Sequence, residues 1–426
     1  MRNMHLPYKK WNNQFLATVI ACTIPVAAAH ASGFRIPEVS AAGTASANAL
    51  VANTEELGAV AYNPAIISFQ SGKAVMLGLN HISYEVSVTP GAPNTGPTRD
   101  GNGEDSFLVP NLLLSTVGEN NWAFALLINS PFGLETSWAD ETFTSFDGTV
   151  ISAGPPPITL DNLEPALSRI KMLNFNPNLS YKLDNNSSVS FGLDFYDVID
   201  LTFNSQAIKI NGTGNGVGWN IGIVKKMDKL TLGASYRSKV ETDITGSFDS
   251  TGIGSSVIGA QAKLEFPDIF QLGLHYQATQ SLGIEFDVDR TGWSSFDQIK
   301  IQDSLGTTLT SSTNNWNSSW AYRLGFTYKV SSGTKIMFGY AYDESPQPDE
   351  YFSARVPDAD RQLFSIGASH NLGGWILEYS YMYVDVDSRT INSSAGFAGE
   401  PNGTALYNGT YETDVSLIGV SLATNF

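Results

Sequence analysis

Cysteine and long apolar runs are nearly absent from this chain. The only cysteine among the 426 residues is Cys22, which lies in an N-terminal apolar segment, so the rest of the chain has no thiol chemistry. No apolar run of 18 residues follows that segment, which excludes a transmembrane helix. The sequence also has no His-x-x-x-His pair and no phosphate-binding glycine loop. We therefore predict no catalytic residue, no metal site and no cofactor.

Basic residues are few as well. The chain has 24 Lys and Arg against 41 Asp and Glu, a formal net charge of -17 at pH 7. Nucleic acid is bound mainly through basic side chains that neutralise phosphates. The charge balance therefore argues against a nucleic-acid partner.

Residues 1–31 have the features of a secretory signal peptide. Three basic residues precede an apolar stretch at 15–29, which is too short to span a bilayer, and Ala29-His30-Ala31 is a small-x-small cleavage site. We expect a mature chain that begins at Ser32. Lipoprotein processing at Val19-Ile20-Ala21-Cys22 is the alternative, but it would leave an apolar leader.

Apolar and small or polar residues alternate along most of the remaining chain. In the last such run, Ile418, Val420 and Leu422 share a face with the terminal Phe426. About fourteen runs of this kind follow Lys73. An apolar face opposite a polar one in strands of about ten residues is typical of a barrel with lipid outside and water inside. We predict an all-β fold, a 14-stranded antiparallel transmembrane β-barrel over residues 73–426. A soluble sandwich or propeller is the alternative.

The connections between these runs alternate between short and long, as expected for periplasmic turns and extracellular loops. The longer connections are predicted at 89–104, 139–168, 248–260, 303–316, 346–358 and 393–408. Residues 32–72 differ, because they are rich in Ala, Ser, Gly and Asn and have no sustained alternation. A barrel of fourteen strands is too wide for its own side chains to fill. We therefore expect residues 32–72 to form an N-terminal plug, or hatch, inside the lumen.

Short motifs follow one another in an order typical of one family. In chain order they are Gly33-Phe34, Gly58, Asn63-Pro64-Ala65, Pro131-Phe132-Gly133-Leu134 with Trp138, Gly218-Trp219-Asn220, Tyr236-Arg237-Ser238, Trp293-Ser294 with Phe296, Asp343-Glu344-Ser345-Pro346 and Val356-Pro357-Asp358-Ala359-Asp360-Arg361. The sequence resembles the FadL family of outer-membrane transporters for long-chain fatty acids, which includes TodX-type importers of aromatic hydrocarbons. The resemblance covers essentially the whole predicted mature chain.

The resemblance implies a passive channel in the outer membrane of a Gram-negative bacterium. It implies ligand capture between extracellular loops, a pocket near Gly33 and Phe34, and a plug gated at Gly58 and Asn63-Pro64-Ala65. It also implies lateral exit through a kink in the third strand at Ser130-Pro131-Phe132-Gly133. Proline removes a hydrogen bond from a sheet, so Pro131 supports a break independently. Alternatively, Pro131 only ends a shorter strand.

The substrate is the less certain part of the prediction. Fatty-acid-transporting members place basic residues near the ligand carboxylate, whereas this chain has Asp197 and Asp200 after the fifth strand. Arg237, Lys300 and Arg361 are the candidate carboxylate partners. We predict uptake of long-chain fatty acids and related hydrophobic molecules, with uncharged aromatic or alkane hydrocarbons as the alternative.

Two other classes of function remain as hypotheses. A general diffusion porin would need an open polar lumen without a plug, and a barrel hydrolase would need a reactive serine near an inward histidine. As partners we expect the hydrophobic ligand, outer-membrane lipid and lipopolysaccharide. We expect the protein to be a monomer.

Overall fold

The computed structural model describes residues 33–426 except 102, 104, 105, 149, 153–156, 160–163, 206, 251–254 and 396–404. The predicted signal peptide therefore lies outside the described residues. Within the described part, no helix combines the length and the apolar character needed to cross a membrane.

Fourteen antiparallel strands, several of them in two pieces, form one sheet. They are β1 (Lys73–Pro90), β2 (Arg99–Asp100 and Ser106–Val117), β3 (Trp122–Asn129 and Gly133–Ser137), β4 (Leu167–Asp184), β5 (Ser187–Asn204), β6 (Ile208–Met227), β7 (Leu230–Arg237 and Val240–Ser250), β8 (Ser255–Phe266 and Ile269–Gln277), β9 (Leu282–Thr291 and Gln298–Gln302), β10 (Thr308–Thr313 and Ser319–Ser331), β11 (Thr334–Asp343), β12 (Arg361–Asn371), β13 (Trp375–Val386 and Arg389–Ile391) and β14 (Gly409–Asn425). The strand β14 pairs with β1 from Asn425 opposite Ala74 to Gly409 opposite Pro90. This pairing closes the sheet and confirms the predicted 14-stranded barrel.

The alternation read from the sequence corresponds to the two faces of the barrel wall. On β6, Val217, Trp219 and Ile221 are exposed on the outside. Asn220 on the same strand is buried on the inside, with 2% of its surface exposed. Exposed apolar side chains on most strands give the wall an apolar exterior, as a barrel in a lipid bilayer requires.

Residues 33–72, directly before β1 begins at Lys73, pack against inward side chains of the barrel wall. They contain one helix, α1 (Ala41–Ala45), and two 3-10 turns, Leu57–Ala61 and Pro64–Phe69. Their backbone is bonded to inward side chains on separate parts of the wall: the N–H of Ala41 donates to Ser421 Oγ on β14 at 2.9 Å, and the N–H of Val51 donates to Asp287 Oδ2 on β9 at 2.9 Å.

Small residues make this close contact between the N-terminal segment and the wall possible. A Cβ atom at Gly233 on β7 would lie 2.3 Å from the carbonyl oxygen of Val51. At Gly339 on β11 it would lie 2.3 Å from the backbone nitrogen of Ala47. Glycine is required at both positions because another backbone occupies the space of the side chain.

The connections differ from the prediction at two places. The region 248–260 was predicted as a long loop, but strands β7 and β8 run to Ser250 and from Ser255. Much of 303–316 is likewise strand, because β10 begins at Thr308. These pieces extend the sheet into regions that were predicted as loops. The longest connections that do leave the sheet join β3 to β4, β11 to β12 and β13 to β14, and they include 3-10 turns at Thr144–Phe146, Asp349–Tyr351 and Ala405–Tyr407. The first also contains a hairpin of Val150–Ser152 and Ile158–Thr159.

Candidate functional site

The third strand is interrupted at the predicted kink. Its two pieces end at Asn129 and resume at Gly133, and both pair with β4. Asn129 lies opposite Asn174, and Gly133 lies opposite Lys171. The two residues of β3 are four positions apart in sequence, whereas their partners on β4 are three positions apart. The extra residue produces a bulge that bends the strand.

The break opens the ladder between β2 and β3. Their pairing runs from Val117 opposite Ala123 to Leu112 opposite Ile128. Beyond this point, in the described part of the chain, residues 106–111 of β2 have no strand partner in β3, and the second piece of β3 pairs only with β4. Among the described residues, the wall therefore lacks backbone pairing between β2 and β3 above the kink.

The N-terminal segment pairs with the kink from the inside. The N–H of Ile36 donates to Pro131 O at 2.9 Å, and the N–H of Gly133 donates to Phe34 O at 2.9 Å. Arg35 and Phe132 form a single antiparallel bridge between these bonds. Residues 34–36 thus act as a short extra strand against the inner edge of the bent β3.

Phe34 lies at the centre of an aromatic cluster. Its ring centroid is 4.6 Å from that of Trp293, 5.3 Å from Phe296, 5.9 Å from Trp316 and 6.2 Å from Phe132. Most of these ring pairs have the edge-to-face geometry that aromatic side chains prefer. The cluster joins the kink, through Phe132, to the tops of β9 and β10.

Gly33 allows the backbone to pass close to the indole rings of this cluster. It has a φ of +63°, a left-handed conformation that favours glycine. A Cβ atom at this position would lie 2.6 Å from the indole ring of Trp316. The close packing of Trp316 and Trp293 around Gly33 leaves no room for a side chain there.

An apolar cavity of about 150 Å³ lies on the side of Phe34 that faces the longer connections. A cavity of this volume can hold a benzene-sized ring. Its apolar walls come from Phe34, Leu134, Ile170, Phe203, Ile208, Ile210, Phe296, Ile299, Ile301, Trp316 and Val356. Polar atoms are contributed by several serines and by Arg355. Cavity, aromatic cluster and kink are therefore contiguous.

A layer of buried polar side chains crosses the lumen on the other side of the cluster. On one part of the wall, Asn174 Nδ2 donates to Asp194 Oδ1 at 2.9 Å and Asn220 Nδ2 donates to Asp194 Oδ2 at 3.0 Å. Arg237 forms an ion pair with the same carboxylate. We call this set the polar layer; its buried members are Arg35, Asn174, Asp194, Asn220, Gln271, Asp289, Arg323, Asp343 and Arg361, and the half-buried Arg237 completes it.

The rest of the polar layer is a chain of ion pairs. Asp289 Oδ2 lies 3.1 Å from Arg35 Nη2 and 3.2 Å from Arg323 Nε. Asp343 Oδ2 lies 2.9 Å from Arg361 Nη2. Because Arg35 belongs to the N-terminal segment, these pairs tie that segment to the wall directly beneath Phe34.

The predicted gate residues lie farther from the cavity, at the end with the short turns. Asn63 is fully buried, and its Nδ2 donates to Val51 O and to Ile223 O, each at 3.0 Å. Ala65 O accepts from Ser188 Oγ at 2.7 Å. Asn63 also accepts from the N–H of Ala65 at 3.2 Å, which caps the turn that begins at Pro64. Asn63-Pro64-Ala65 therefore joins the N-terminal segment to β4–β6.

Gly58 allows another close packing contact within the N-terminal segment. A Cβ atom at Gly58 would lie 2.3 Å from Ser40 Oγ. Ser40 caps α1 by accepting from the N–H of Gly43 at 3.0 Å. Gly58 therefore lets the first 3-10 turn pack on the start of α1.

The three candidate carboxylate partners do not line the cavity. Arg237 and Arg361 are engaged in the polar layer with Asp194 and Asp343. Lys300 is exposed, and it points away because its neighbours Ile299 and Ile301 line the cavity. The cation on the cavity wall is Arg355, which sequence reasoning missed although it directly precedes the motif that begins at Val356.

Comparison with known proteins gives a match over almost the whole chain. Residues 22–426 match the family described as outer membrane protein transport protein (OMPP1/FadL/TodX). A long-chain fatty acid transport protein from Salmonella typhi is 23% identical over 398 residues, which cover 83% of this chain and 87% of that protein.

Solved structures share the fold. A FadL homologue from Pseudomonas aeruginosa superposes with a TM-score of 0.75 at 19% identity, and the match covers 92% of this chain and 100% of that one. The toluene transporter TbuX from Ralstonia pickettii superposes with a TM-score of 0.66 at 15% identity, with 91% and 98% covered. At such identities these likenesses concern the fold alone.

Proposed function

Because the chain belongs to the OMPP1/FadL/TodX family of outer-membrane transport proteins, we propose that it takes up long-chain fatty acids and related hydrophobic molecules by lateral diffusion through its wall. The family membership confirms the predicted location in the outer membrane of a Gram-negative bacterium and the transport of hydrophobic compounds. The individual substrate and the exit route are the parts proposed here.

The interrupted ladder between β2 and β3 carries the proposal. An intact barrel wall is held by continuous backbone hydrogen bonds and offers no passage to lipid. Here the pairing stops at Leu112 and Ile128, and Phe132 at the kink touches the aromatic cluster that borders the cavity. The break in the wall therefore lies beside the apolar cluster, which supports it as the exit from the cavity to the hydrocarbon of the membrane.

The polar layer supports lateral exit over passage to the periplasm. A solute that continued past Phe34 would have to separate buried ion pairs such as Arg35 with Asp289. Leaving one partner of such a pair without the other is strongly unfavourable. The lipid outside the gap is the apolar medium nearest to the cluster.

We propose that residues 33–72 act as the plug and that only one end of it moves. Phe34 separates the cavity from the kink, and short backbone pairing with Pro131 and Gly133 holds it there. Asn63-Pro64-Ala65 is the fixed base, because its contacts with β4–β6 do not touch the route. A ligand drives the motion only if it binds the open arrangement more tightly than the closed one.

Uncharged hydrocarbons are the second candidate for the substrate. The relative from Salmonella typhi is named for long-chain fatty acids, whereas TbuX is named for toluene. The cavity is about 150 Å³, a volume that suits one aromatic ring better than a whole acyl chain. A fatty acid would need Phe34 to move, so that its chain could extend from the cavity toward the gap.

Deletion of Pro131 tests the lateral route. After the deletion, Gly133 follows Asn129 by three positions, the same spacing as between Asn174 and Lys171 on β4. The deletion also removes the proline, which has no backbone N–H to donate to β2. We expect the straightened strand to pair with β2 and to close the gap. Uptake of labelled oleate into cells should then be lost, whereas oleate binding to the purified barrel should persist.

The control is Pro177→Val, which removes a strand proline from β4 at a place where the pairing with β3 is continuous: Pro177 lies opposite Leu126. On the other side, the pairing with β5 stops at Phe175 and resumes at Asn178. Uptake by this variant should match that of the unaltered protein. Normal uptake after deletion of Pro131, in a barrel that folds, would contradict lateral exit at β3. The expectation of a monomer in contact with lipid and lipopolysaccharide remains a prediction.

A further inference from the structure

The gap between β2 and β3 begins at a polar edge, on its side toward the short turns. Pairing of the two strands ends with Leu112 opposite Ile128. The next residues, Asn111 on β2 and Asn129 on β3, therefore stand on the two sides of the gap where it begins. Both belong to the buried face of their strands, with 6% and 7% of their surface exposed. Ser130 follows at the start of the kink and is 2% exposed.

Several hydrogen-bonding atoms at this edge have no partner. Within the described chain, neither Nδ2 nor Oδ1 of Asn111 forms a hydrogen bond, and Oγ of Ser130 forms none either. Farther along the wall, Asn174 lies opposite Asn129, and Tyr196 lies opposite Asn174. Asn174 Oδ1 and the Tyr196 hydroxyl likewise have no hydrogen-bond partner among the described residues. We call these five side chains, which run across β2 to β5, the rim row.

Unpaired polar groups in a buried place favour a ligand that can pair with them. Buried donors and acceptors are nearly always satisfied in proteins, and an unsatisfied one is unfavourable. Asn111 has both a donor and an acceptor free, so it is complementary to a group that can accept and donate at once. A hydroxyl or a protonated carboxyl group does both. A hydrocarbon does neither, and a carboxylate cannot donate.

The charges at the rim row also favour an uncharged ligand group. All five members of the row are neutral side chains. An ionised head group would meet no counter-ion from the row, and burying an unpaired charge is far less favourable than burying a neutral polar group. The row is thus suited to the uncharged polar end of a molecule.

Apolar side chains adjoin the rim row on the way to the gap. Beyond Asn111, the inward positions of β2 are Val109 and Phe107, which are 3% and 1% exposed. At the other end of the row, the ring of Tyr196 lies 6.2 Å from that of Phe132 in the aromatic cluster. A substrate at the gap therefore has apolar surface for its chain and hydrogen-bonding groups for one polar end.

We propose that the rim row, through Asn111, binds the uncharged polar end of a substrate while the substrate leaves through the gap. This inference rests on the proposed function and names the substrate class of the exit. The class consists of molecules with an apolar chain and one uncharged oxygen-bearing group, a hydroxyl or a protonated carboxyl. Because the row is buried while Phe34 is in place, it acts during passage through the wall and not during capture.

The test compares two compounds that differ only in the polar group. Uptake of labelled oleyl alcohol and of labelled cis-9-octadecene is measured in cells that produce the unaltered protein or Asn111→Leu. Leucine is close to asparagine in size but forms no hydrogen bond. We expect uptake of the alcohol to become about threefold to tenfold slower, the range that corresponds to one ordinary hydrogen bond. Uptake of the hydrocarbon should not change.

Stability separates this role from a structural one. Asn111→Leu should not lower the resistance of the barrel to guanidinium chloride, because the amide has no partner to lose. Ser130→Ala removes another unpartnered group of the row, and it should slow uptake of the alcohol by a smaller factor. The control is Ser115→Val, on the buried face of β2 where pairing is intact, with Ala125 opposite. It should change the uptake of neither compound.

Each outcome bears on one of the two proposals. Equal slowing of both compounds in Asn111→Leu, or no slowing of either, would overturn the role of the rim row while leaving hydrophobic uptake intact. If Asn111→Leu gave no folded barrel, Ser130→Ala would decide, and unchanged uptake of the alcohol by that variant would overturn the role. If cells with the unaltered protein took up neither compound, the proposed function itself would fail.

Discussion

The aromatic cluster around Phe34 and the polar layer beneath it are adjacent in space but opposite in chemistry. The cluster packs rings from the N-terminal segment, β3, β9 and β10 against one another and against an apolar cavity. The polar layer consists of amides and ion pairs that are nearly inaccessible to solvent, such as Asp289 with 1% of its surface exposed. The N-terminal segment contributes to both, through Phe34 and Arg35.

In the proposed route, the contrast between these neighbours sets the direction of transport. Each methylene group that enters an apolar site gains about 0.8 kcal/mol. A solute keeps that gain in the cavity, in the cluster and in the lipid beyond the gap. It would lose the gain in the polar layer, where buried pairs such as Arg35 with Asp289 would have to separate. In this proposal, a solute leaves sideways because the lumen changes from apolar to polar directly beneath Phe34.

The largest predicted effect is a loss of stability when the polar layer is broken. Asp289 binds Arg35 and Arg323, and Gln271 Nε2 also donates to it at 2.9 Å. Asp289→Asn removes the charge that both guanidiniums share. We expect the free energy of unfolding to fall by about 3–5 kcal/mol, since the buried Arg35 loses its counter-ion and Arg323 keeps only Asp343, which lies 3.7 Å away. Guanidinium chloride titration of the refolded barrel in lipid vesicles measures this change.

The matched control makes the same chemical change at the surface. Glu265 lies 2.9 Å from Lys239, whose side chain is 58% exposed. Glu265→Gln should cost at most about 1 kcal/mol, because exposed ion pairs contribute little. Equal costs for the two variants would mean that the polar layer is not a special region of the barrel.

A smaller effect is expected when one ring of the aromatic cluster is removed. Phe34→Leu keeps the site apolar but loses several edge-to-face contacts, so the free energy of unfolding should fall by about 1–2 kcal/mol. Oleate uptake should become faster, because a smaller side chain then separates the cavity from the kink. The lipid-facing Phe338→Leu is the control, and it should change neither quantity. Slower uptake by Phe34→Leu would contradict a blocking role for the ring.

The barrel was predictable because its signal is local and repeated. Alternation such as that of Ile418, Val420 and Leu422 needs only neighbouring residues, and the wall forces the same period on every strand. Pro131 was likewise a local signal, because the ring itself disrupts a ladder. The long connection predicted at 248–260 was wrong for a related reason: its Ser- and Gly-rich sequence suggests a loop, but pairing with the neighbouring strands extends the sheet there.

The residues that line the cavity were less predictable because their environment comes from distant parts of the chain. Arg361 and Arg355 lie six positions apart and look equivalent in sequence. In the fold, Arg361 meets Asp343 from β11, whereas Arg355 meets Ser168 from β4 and remains without an acid among the described residues. Which arginine is left unpaired depends on contacts across the barrel, which alternation and short motifs do not encode.

The smallest predicted effect concerns the pH dependence of the connection between β3 and β4. Glu164 is 6% exposed, and its carboxylate accepts from the N–H groups of Phe143 at 2.7 Å and Glu141 at 3.0 Å. Burial nonetheless raises the pKa of Glu164 to about 7. The packed connection therefore binds a proton more tightly than the unpacked one, whose glutamate has a pKa of about 4.3.

The sign of this shift fixes the direction of the pH effect. The stabilisation from a bound proton is fully present below the pKa of the unpacked state and is lost as the pH rises through about 7. Proteinase K should thus cleave within residues 139–166 more slowly at pH 5.5 than at pH 8, relative to its rate on an unstructured peptide. Glu164→Gln carries no titrating group at this position, so the ratio of its cleavage rate to that of the peptide should be independent of pH.

Because the polar layer is not involved, the free energy of unfolding of the Asp289→Asn variant should differ from that of the unaltered protein by the same amount at both pH values. Faster cleavage of the unaltered protein at the lower pH would show that Glu164 stabilises the connection as a carboxylate.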